Sequence, residues 1–373
     1  MVIPFKFSPR CLLEIALFIL LVAFMFINLG VAPVELWDES TNIAVVRDTL
    51  DTGNIFDLQY NSSPFWEKPP LWYMATSALV KIFGDSTTVF RSISAISGVA
   101  FGLGIYYLLK KYHSKRAGIL GVLVFLSIPQ LHFVSTRYFS THTFRSADLD
   151  ALQLVLMLYS AIFFLNYITR NSKTGMYIGT VLSALAILVK GPFGLLPGIV
   201  AVFVGIIKEK KLVVKREYLF AFALFFTIIL PWHLYMLSIY GQEFVDVYLL
   251  KHILFRSFTQ LDGHSNNLLF YFKILAHPAM FISIEILVIA FIRFAKSNLD
   301  KSLKLYWMLF AALSFTLIEI VQTRLAWYLF YFYLPIIPIM AFGLADLIKS
   351  KRIYIYETVL MAIFLIRLIT YYV

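Results

Sequence analysis

Cysteine and charge are both scarce in this chain. Cys11 is the single cysteine among 373 residues, which excludes a disulfide framework and a cysteine-based metal site. Asp, Glu, Lys and Arg make up 14% of the residues, whereas 60% are hydrophobic. Soluble domains carry about 25% charged residues, and the mean hydropathy here is +0.81. The composition therefore predicts a polytopic membrane protein and excludes an ordinary soluble domain.

Apolar runs long enough to cross a bilayer recur along the chain, and from them we predict about eleven transmembrane helices. A catalytic domain is predicted over residues 1–348, with long outer loops at 32–86 and 240–269. A final transmembrane helix is predicted in 349–373, with no soluble carboxyl-terminal domain. The apolar runs lie near residues 11–31, 87–109, 117–134, 147–168, 175–190, 193–207, 218–239, 270–293, 304–321, 326–348 and 353–371.

The net charge of +11 comes mostly from short loops between the predicted spans. This distribution is the orientation signal of membrane proteins and does not indicate nucleic-acid binding. All the basic loops fall on one side of the eleven-helix arrangement, so that side and the amino terminus are predicted to be cytoplasmic. We expect an integral protein of the bacterial inner (plasma) membrane whose active site faces outside. The basic segments are 110–116, 170–173, 208–216, 293–304 and 349–352.

The predicted outer face carries both carboxylates and cations. Lys and Arg at this boundary run against the positive-inside trend, and a cluster of them suits an anionic lipid headgroup. Carboxylates beside a phosphate site indicate a general base that activates a hydroxyl. Together they predict group transfer on a lipid phosphate, although anion transporters share these features. The residues are Glu35, Asp38, Glu39, Glu67, Asp148, Asp150, Lys68, Arg137, Arg145, Lys190, Lys251, Arg256 and Arg324.

Short motifs around Asp38, Glu67, Asp150, Lys190, Pro231 and His264 follow one another along the chain. This ordered set resembles the GT-C glycosyltransferases, and within them the protein mannosyltransferase and lipid A aminoarabinose transferase group. The match extends over roughly residues 10–345. The resemblance implies an all-α integral membrane protein, a GT-C-like bundle whose two long outward-facing loops carry interfacial helices. Leu71–Phe83 is the predicted interfacial helix of the first loop. The motifs are Asp38-Glu39, Glu67-Lys68-Pro69-Pro70-Leu71, Leu149-Asp150, Lys190-Gly191-Pro192, Pro231-Trp232 and Gly263-His264.

The same resemblance implies an inverting glycosyltransferase on the non-cytoplasmic side of the membrane. Its donor is a polyprenyl-phosphate sugar, and its acceptor is a hydroxyl of a glycolipid such as lipid A, or of a protein. Membrane lipids surround it, and no nucleic-acid partner is expected. The alternative is a transporter or flippase of lipid-linked sugars, which would carry polar residues deep within its spans and inverted repeats.

In the acidic motifs, the resemblance makes Asp38 the general base, with the adjacent Glu39 in support. Asp150 corresponds to the second acidic residue of the family, and Asp148 competes with it for that role. Simpler explanations stay open for each of them. Asp38 is a suitable helix cap, and Asp148 and Asp150 suit the positive end of a helix dipole.

In the basic motifs, the resemblance implies that Lys190 and the Gly191-Pro192 turn hold the leaving phosphate. The alternative for Lys190 is a lysine that snorkels from a helix end. Lys68, Arg145 and Arg324 are further candidates for binding the donor phosphate or the acceptor.

Two further residues are candidate metal ligands. The resemblance implies that Glu67 and His264 hold a divalent metal such as zinc. His252 and His142 are candidates for a third ligand, but no motif assigns either of them. Without a metal, Glu67 and His264 would contact the acceptor or order the loop. Two protein ligands are an incomplete zinc site, so no cofactor is predicted with certainty. Aromatic residues near the outer boundary are explained by a membrane-interface belt. They are Trp66, Trp72, Tyr73, Trp232, Tyr235, Trp327 and Tyr328.

Overall fold

A computed structural model describes residues 9–134, 142–209, 216–255, 269–276 and 284–347. Three residues discussed above, Arg137, Arg256 and His264, lie outside these ranges, as do the last predicted span and much of the second long loop.

The described chain is almost entirely helical, with one short hairpin in the first long loop. Strands β1 (Gln59–Tyr60) and β2 (Ser63–Pro64) pair antiparallel. A π-helical segment (Val245–Phe255) continues the ninth helix. In chain order the helices are α1 (Pro9–Phe26), α2 (Asp38–Thr52), α3 (Leu71–Phe83), α4 (Thr87–Tyr112), α5 (Lys115–Leu126), α6 (Asp150–Arg170), α7 (Lys173–Lys190), α8 (Leu196–Glu209), α9 (Arg216–Phe244), α10 (Phe270–Leu275), α11 (Ile284–Lys296), α12 (Lys301–Ile320) and α13 (Leu329–Leu347).

Local sequence signals explain several helix ends. Ser86 and Ser172 cap α4 and α7, and each side chain accepts a hydrogen bond from a backbone N–H of the first turn. Gly53 ends α2 in the left-handed conformation that glycine adopts most easily. Gly191 ends α7 with φ 105° and ψ −156°, a backbone conformation open mainly to glycine.

Seven of the described helices are long and apolar enough to cross a membrane. The all-α membrane architecture is therefore confirmed, while the count of about eleven stays a prediction. Leu12–Phe26 and Leu71–Phe83 are apolar but shorter. The seven helices are Thr87–Tyr112, Asp150–Arg170, Lys173–Lys190, Pro192–Glu209, Arg216–Phe255, Lys301–Ile320 and Ala326–Asp346.

Helix α6 lies at the centre of the bundle, where it packs against α4, α7 and α8. Helix α9 is peripheral, and Leu219, Phe220 and Phe222 on it are exposed, as expected of side chains that face lipid. Gly343 of α13 permits close packing, since a Cβ there would fall on the backbone of Ala290 in α11.

The bundle has two distinct ends. We call the first the loop end; it comprises residues 29–86, 142–149, 190–192 and 321–328. We call the second the basic end; it comprises residues 110–116 and 170–173 with the helix ends packed against them. Hydrogen bonds join neighbouring helix ends at the basic end. Examples are Tyr112 Oη to Thr169 Oγ1 (3.3 Å) and His113 Nε2 to Asp346 Oδ1 (3.2 Å).

Helix α3 confirms the helix predicted over Leu71–Phe83, but the belt interpretation is wrong for its aromatic rings. Trp72 and Tyr73 are fully buried, and Trp232 and Tyr328 are also buried. Trp72, Tyr73 and Trp232 pack the first loop onto the bundle. The Trp232 indole of α9, for example, donates a hydrogen bond to the carbonyl of Phe56 at 3.0 Å.

Candidate active site

The start of α2 presents Asp38 at the loop end. The residue that precedes the helix is Trp37, with φ 77° and ψ −116°, so the chain turns sharply before Asp38. A positive φ is a genuine outlier for a bulky residue, and such backbone strain concentrates at functional sites. The Asp38 carboxylate faces His142 instead of capping α2, so the capping explanation is wrong.

His142 gathers three carboxylates around one ring nitrogen. Its Nε2 lies 2.9 Å from Asp38 Oδ2, 3.5 Å from Asp148 Oδ1 and 3.9 Å from Asp150 Oδ2. An ionised carboxylate only accepts hydrogen bonds, so Nε2 carries the proton in the contact with Asp38. The imidazole stacks on Trp327, with 4.2 Å between ring centroids.

Burial and charge oppose each other at the histidine. Burial lowers the pKa of His142, but Asp148, Asp38 and Asp150 outweigh it and raise the pKa above its ordinary value of 6.5. Burial also raises the pKa of the Asp148 carboxyl, to about 6. Both shifts favour the protonated form of the group.

Asp148 and Asp150 are both buried in this cluster, so the structure brings the two competing candidates together. The Asn42 amide donates to Asp148 Oδ1 at 3.3 Å and to the carbonyl of Ala147 at 3.0 Å. The Tyr73 hydroxyl in turn donates to Asn42 Oδ1 at 2.7 Å. Oδ2 of Asp148 and Oδ1 of Asp150 make no hydrogen bond within the described chain.

Lys190, at the end of α7, reaches the same cluster and contacts Asp150 Oδ2 at 2.5 Å. The turn after it is held by Gln153 of α6, whose amide donates to the carbonyl of Gly191 at 3.2 Å. The Tyr331 hydroxyl donates to Gln153 Oε1 at 2.7 Å. Buried side chains of two other helices thus fix the Lys190-Gly191 turn.

Lys68 approaches the cluster from the first loop, with Nζ 3.9 Å from Asp38 Oδ1. Its charge lowers the pKa of Asp38 well below the usual range, and the His142 hydrogen bond and the charge of Lys190 act in the same direction. The side chain of Asp38 is 38% accessible, whereas that of Asp148 is 1% accessible. Asp38 is therefore ionised and within reach of a ligand.

Glu39 points to the other side of α2 and forms a buried ion pair with Arg91 of α4. Arg91 Nε donates to Glu39 Oε1 at 2.7 Å, and Nη2 donates to Oε2 at 2.9 Å. The backbone N–H groups of Ala147 and Glu35 also donate to this carboxylate, at 2.7 and 2.8 Å. These contacts make Glu39 a structural anchor for the loops beside Asp38, and its supporting role in catalysis stays a prediction.

The predicted arginines have structural contacts of their own. Arg145 donates hydrogen bonds to the carbonyls of Phe24 and Ile27 at the end of α1, at 3.0 and 2.5 Å, which suits a cation near a helix C-terminus. Arg324 donates to the carbonyl of Glu319 at 2.9 Å. Substrate binding by Arg145 and Arg324 stays a prediction.

The predicted metal ligands form no complete site within the described ranges. Glu67 is exposed, and its Oε1 lies 4.0 Å from His252 Nε2. His264 is outside those ranges. Among described residues, no group of three or more His, Cys, Asp or Glu is arranged to hold a metal ion. A catalytic zinc requires three protein ligands, so we derive no chemical step through a metal.

The sequence did not indicate several residues of the site. They are chiefly Arg91, Asn42 and Tyr73 as a hydrogen-bond donor. Arg91 carried a usable signal, because a charge in an apolar helix needs a partner in the protein. Asn42 and Tyr73 carried none, since their bonds join segments far apart in the chain.

Solved structures of other proteins share the fold of this chain. ArnT from Cupriavidus metallidurans, solved bound to undecaprenyl phosphate, is 20% identical, with a TM-score of 0.78 over 94% of this chain and 63% of that one. The archaeal oligosaccharyltransferase AglB from Archaeoglobus fulgidus, in complex with an inhibitory peptide and a dolichol-phosphate, is 12% identical, with a TM-score of 0.57 over 92% of this chain and 51% of that one. The chain has the fold of the GT-C glycosyltransferases, and the resemblance seen in its sequence is confirmed.

Within that class, residues 67–235 match the model of the dolichyl-phosphate-mannose-protein mannosyltransferase family. An uncharacterized protein of Aquifex aeolicus (strain VF5) is 27% identical over 332 residues, or 88% of this chain and 62% of that protein. Another from the same strain is 26% identical over 255 residues, 67% of this chain and 56% of that protein. The chain thus spans less than two thirds of the length of these relatives.

Proposed function

We propose that the chain is an inverting glycosyltransferase that moves a sugar from a polyprenyl-phosphate donor to an acceptor hydroxyl. The observation that carries this proposal is the cluster of Asp38, Asp148 and Asp150 with Lys68 and Lys190. A half-accessible, ionised carboxylate lies there beside two lysines and two buried acids. Charges held at such a place are costly unless they perform chemistry.

In the proposed reaction, Asp38 accepts the proton of the acceptor hydroxyl. The hydroxyl oxygen forms a bond to the anomeric carbon while the bond from that carbon to the phosphate oxygen breaks. The phosphate leaves with the electron pair, and the single displacement inverts the anomeric centre. Positive side chains that neutralise the leaving phosphate stabilise the transition state, in which negative charge develops on it.

Lys68 and Lys190 are the proposed ligands of the leaving phosphate. Both ammonium groups already contact carboxylates of the cluster, Lys68 with Asp38 and Lys190 with Asp150. A phosphate bound between them would satisfy part of their charge. Because Lys68 is the main cause of the low pKa of Asp38, phosphate binding would make Asp38 a stronger base when the donor is present.

The ligands bound in structures with the same fold support a lipid-phosphate donor, since ArnT was solved with undecaprenyl phosphate and AglB with a dolichol-phosphate. We extend this ligand class to the present chain. The acceptor is proposed to be a glycolipid or a protein. The basic loops favour a bacterial inner membrane with the loop end outside. No observation on the described residues favours the transporter alternative.

The test is a transfer assay on purified protein in liposomes. Polyprenyl-phosphate sugars are supplied one at a time with membrane extract as acceptor, and freed polyprenyl phosphate is measured by mass spectrometry. Release by the unmodified protein but not by Asp38→Asn is the expected result. Equal release by both proteins would remove Asp38 as the base. Movement of intact donor across the bilayer without release would favour the carrier.

A further inference from the structure

His142 borders this charge cluster, and the reaction just described gives it no role. It lies in the segment before α6, is buried, and reaches the accessible base directly. Neither donor nor acceptor needs to touch it. The question is what the reaction loses if this ring is removed.

The position of the ring is fixed from both sides. Trp327, which precedes α13, covers its face at 4.2 Å between centroids and 30° between planes. Its Nε2 is directed at Asp38 and lies within 3.9 Å of Asp148 and Asp150. The hydrogen bond to Asp38 Oδ2, at 2.9 Å, is the shortest of these contacts and the only one within normal hydrogen-bond distance.

Asp38 needs such a contact because, among the described residues, its carboxylate has few others. It is the first residue of α2, next to the outlying backbone of Trp37. Its other described ionic contact, to Lys68 Nζ, is 3.9 Å long. A general base must be held within hydrogen-bond reach of the proton that it removes, and an imidazole locked by a neighbouring ring can hold it there.

We infer that His142 is a positioning residue for Asp38: its Nε2–H orients the carboxylate toward the acceptor hydroxyl, Trp327 fixes the ring, and Asp148 supplies the opposing charge. This inference rests on the proposed function, in which Asp38 is the base. Asp148 suits the part, because Asn42 and the histidine share its Oδ1 while the residue itself is buried.

Four described groups on different elements set the charge of His142. Asp38 faces it from α2, Asp148 from the preceding loop, Asp150 from α6 and Lys190 from α7, the last acting against protonation. Without His142, Asp38 loses both a hydrogen bond and a nearby positive charge. Each of these losses raises the pKa of a carboxyl.

The decisive variant is His142→Phe, which keeps a ring against Trp327 and removes the N–H. We expect kcat for release of polyprenyl phosphate to fall about 10- to 100-fold, the loss of one hydrogen bond to a charged group. KM for the donor should change less than about threefold, because the lysines are untouched. The acid limb of the pH profile of kcat should move to higher pH by roughly one unit or more.

Two further variants separate positioning from a merely structural role. His142→Gln restores an N–H donor without the charge, so it should recover most of kcat while the acid limb stays displaced. His132→Phe is the matched control, since His132 is equally buried nearby but hydrogen-bonds the carbonyl of Phe125 and contacts no carboxylate in the described chain. It should leave the acid limb in place.

The outcomes are distinct from those that test the base itself. If Asp38→Asn is inactive while His142→Phe keeps kcat within twofold, the base assignment stands and the positioning role is overturned. A loss of kcat in His142→Phe with an unmoved acid limb would also overturn it, since that is what loosened packing produces. If His142→Phe does not fold, the acid limb of His142→Gln decides: a limb displaced to higher pH supports the positioning role, and an unmoved limb overturns it.

Discussion

The two ends of the bundle carry charges of both signs but hold them differently. At the basic end, Lys115 pairs with Glu14 at 3.0 Å while 56% of the lysine side chain is accessible. At the loop end, Lys190 pairs with Asp150 when 11% of the lysine and 1% of the aspartate are accessible. The first arrangement is that of a solvated surface, and the second is that of a site.

The difference follows from desolvation. An exposed ion pair gains little and costs little, about 0–1 kcal/mol. A buried charge costs several kcal/mol unless it is paired and hydrogen-bonded. The exposed charges of the basic end cost little without any function, whereas the buried charges of the loop end are paired with one another. Substitutions at the two ends should therefore have unequal effects.

The largest inequality is expected for activity. Asp38→Asn should lower kcat for polyprenyl-phosphate release about 10²- to 10⁴-fold, because it removes the proposed base. Glu14→Gln, which breaks an ion pair at the basic end, should leave kcat within about twofold. Comparable losses in the two variants would show that the charge cluster has no special part in turnover.

The next effect is expected on the free energy of unfolding. It compares a buried and an exposed ion pair at the same end of the bundle. Arg91→Met removes the partner of the buried Glu39 and should destabilise the fold by about 3–5 kcal/mol. The matched variant is Arg47→Met, whose bidentate pair with Asp85 at 2.7 Å lies at the same end but is exposed. It should cost about 0–1 kcal/mol.

Thermal unfolding in detergent, followed by tryptophan fluorescence, measures both arginine variants. Similar midpoints for Arg91→Met and Arg47→Met would mean that the Glu39 carboxylate is solvated and does not anchor the loops. A low midpoint for Arg91→Met alone is the expected outcome.

A smaller effect is expected on donor binding. Lys190→Met should weaken binding of polyprenyl phosphate by roughly 10- to 100-fold, the loss of one charge-assisted contact. Lys208→Met is the counterpart at the basic end, where Lys208 donates to the carbonyl of Ile168 at 3.1 Å. It should leave the affinity unchanged, as measured by titration of the lipid phosphate into nanodiscs. Equal weakening would point to a non-specific charge effect.

The smallest effect is expected on how steeply the unfolding midpoint changes with pH. Burial raises the pKa of Asp148 from 3.8 to about 6, so the folded state binds this proton more tightly than the unfolded state does. Its contribution to stability is complete below pH 3.8 and is lost as the pH rises through 6. Asp148→Asn should therefore flatten the decline of the unfolding midpoint between these pH values.

Asp85 serves as the control, because its pKa is shifted in the opposite direction to that of Asp148. Its hydrogen bond with Arg47 lowers the pKa of this carboxyl below 3.8. Its contribution is therefore present above that value and is lost as the pH falls. Asp85→Asn should remove stability at neutral pH only. A decline that persists unchanged in Asp148→Asn would show that another group carries it.

Much of this architecture was predictable from hydrophobic period and charge. The apolar runs predicted near 147–168 and 304–321 correspond to the helices Asp150–Arg170 and Lys301–Ile320. Ser86 and Ser172 precede helix starts, as capping rules require. Asp38, Asp150, Lys68 and Lys190 were singled out in the sequence, and the structure brings all four together. Their acid and base chemistry made them recognisable before any fold was known.

Other features were beyond such reading. Aromatic residues at a predicted boundary suit a lipid interface, yet Trp72 and Tyr73 are buried under the first loop. From the sequence, His142 was only a candidate third metal ligand. Nothing near it in the sequence shows that the carboxylate of Asp38, 104 residues away, forms a hydrogen bond with its Nε2.

The amino-acid sequence by itself determined that this is a helical membrane protein with acids and lysines at one end, because hydrophobicity and charge are properties of single residues and short windows. Which carboxylate is accessible, which is buried and which cation each one meets depended on the packing of α2, α6 and α7 with the loops between them. Those relations join residues far apart in the chain, and pairing and desolvation are set by distance in space.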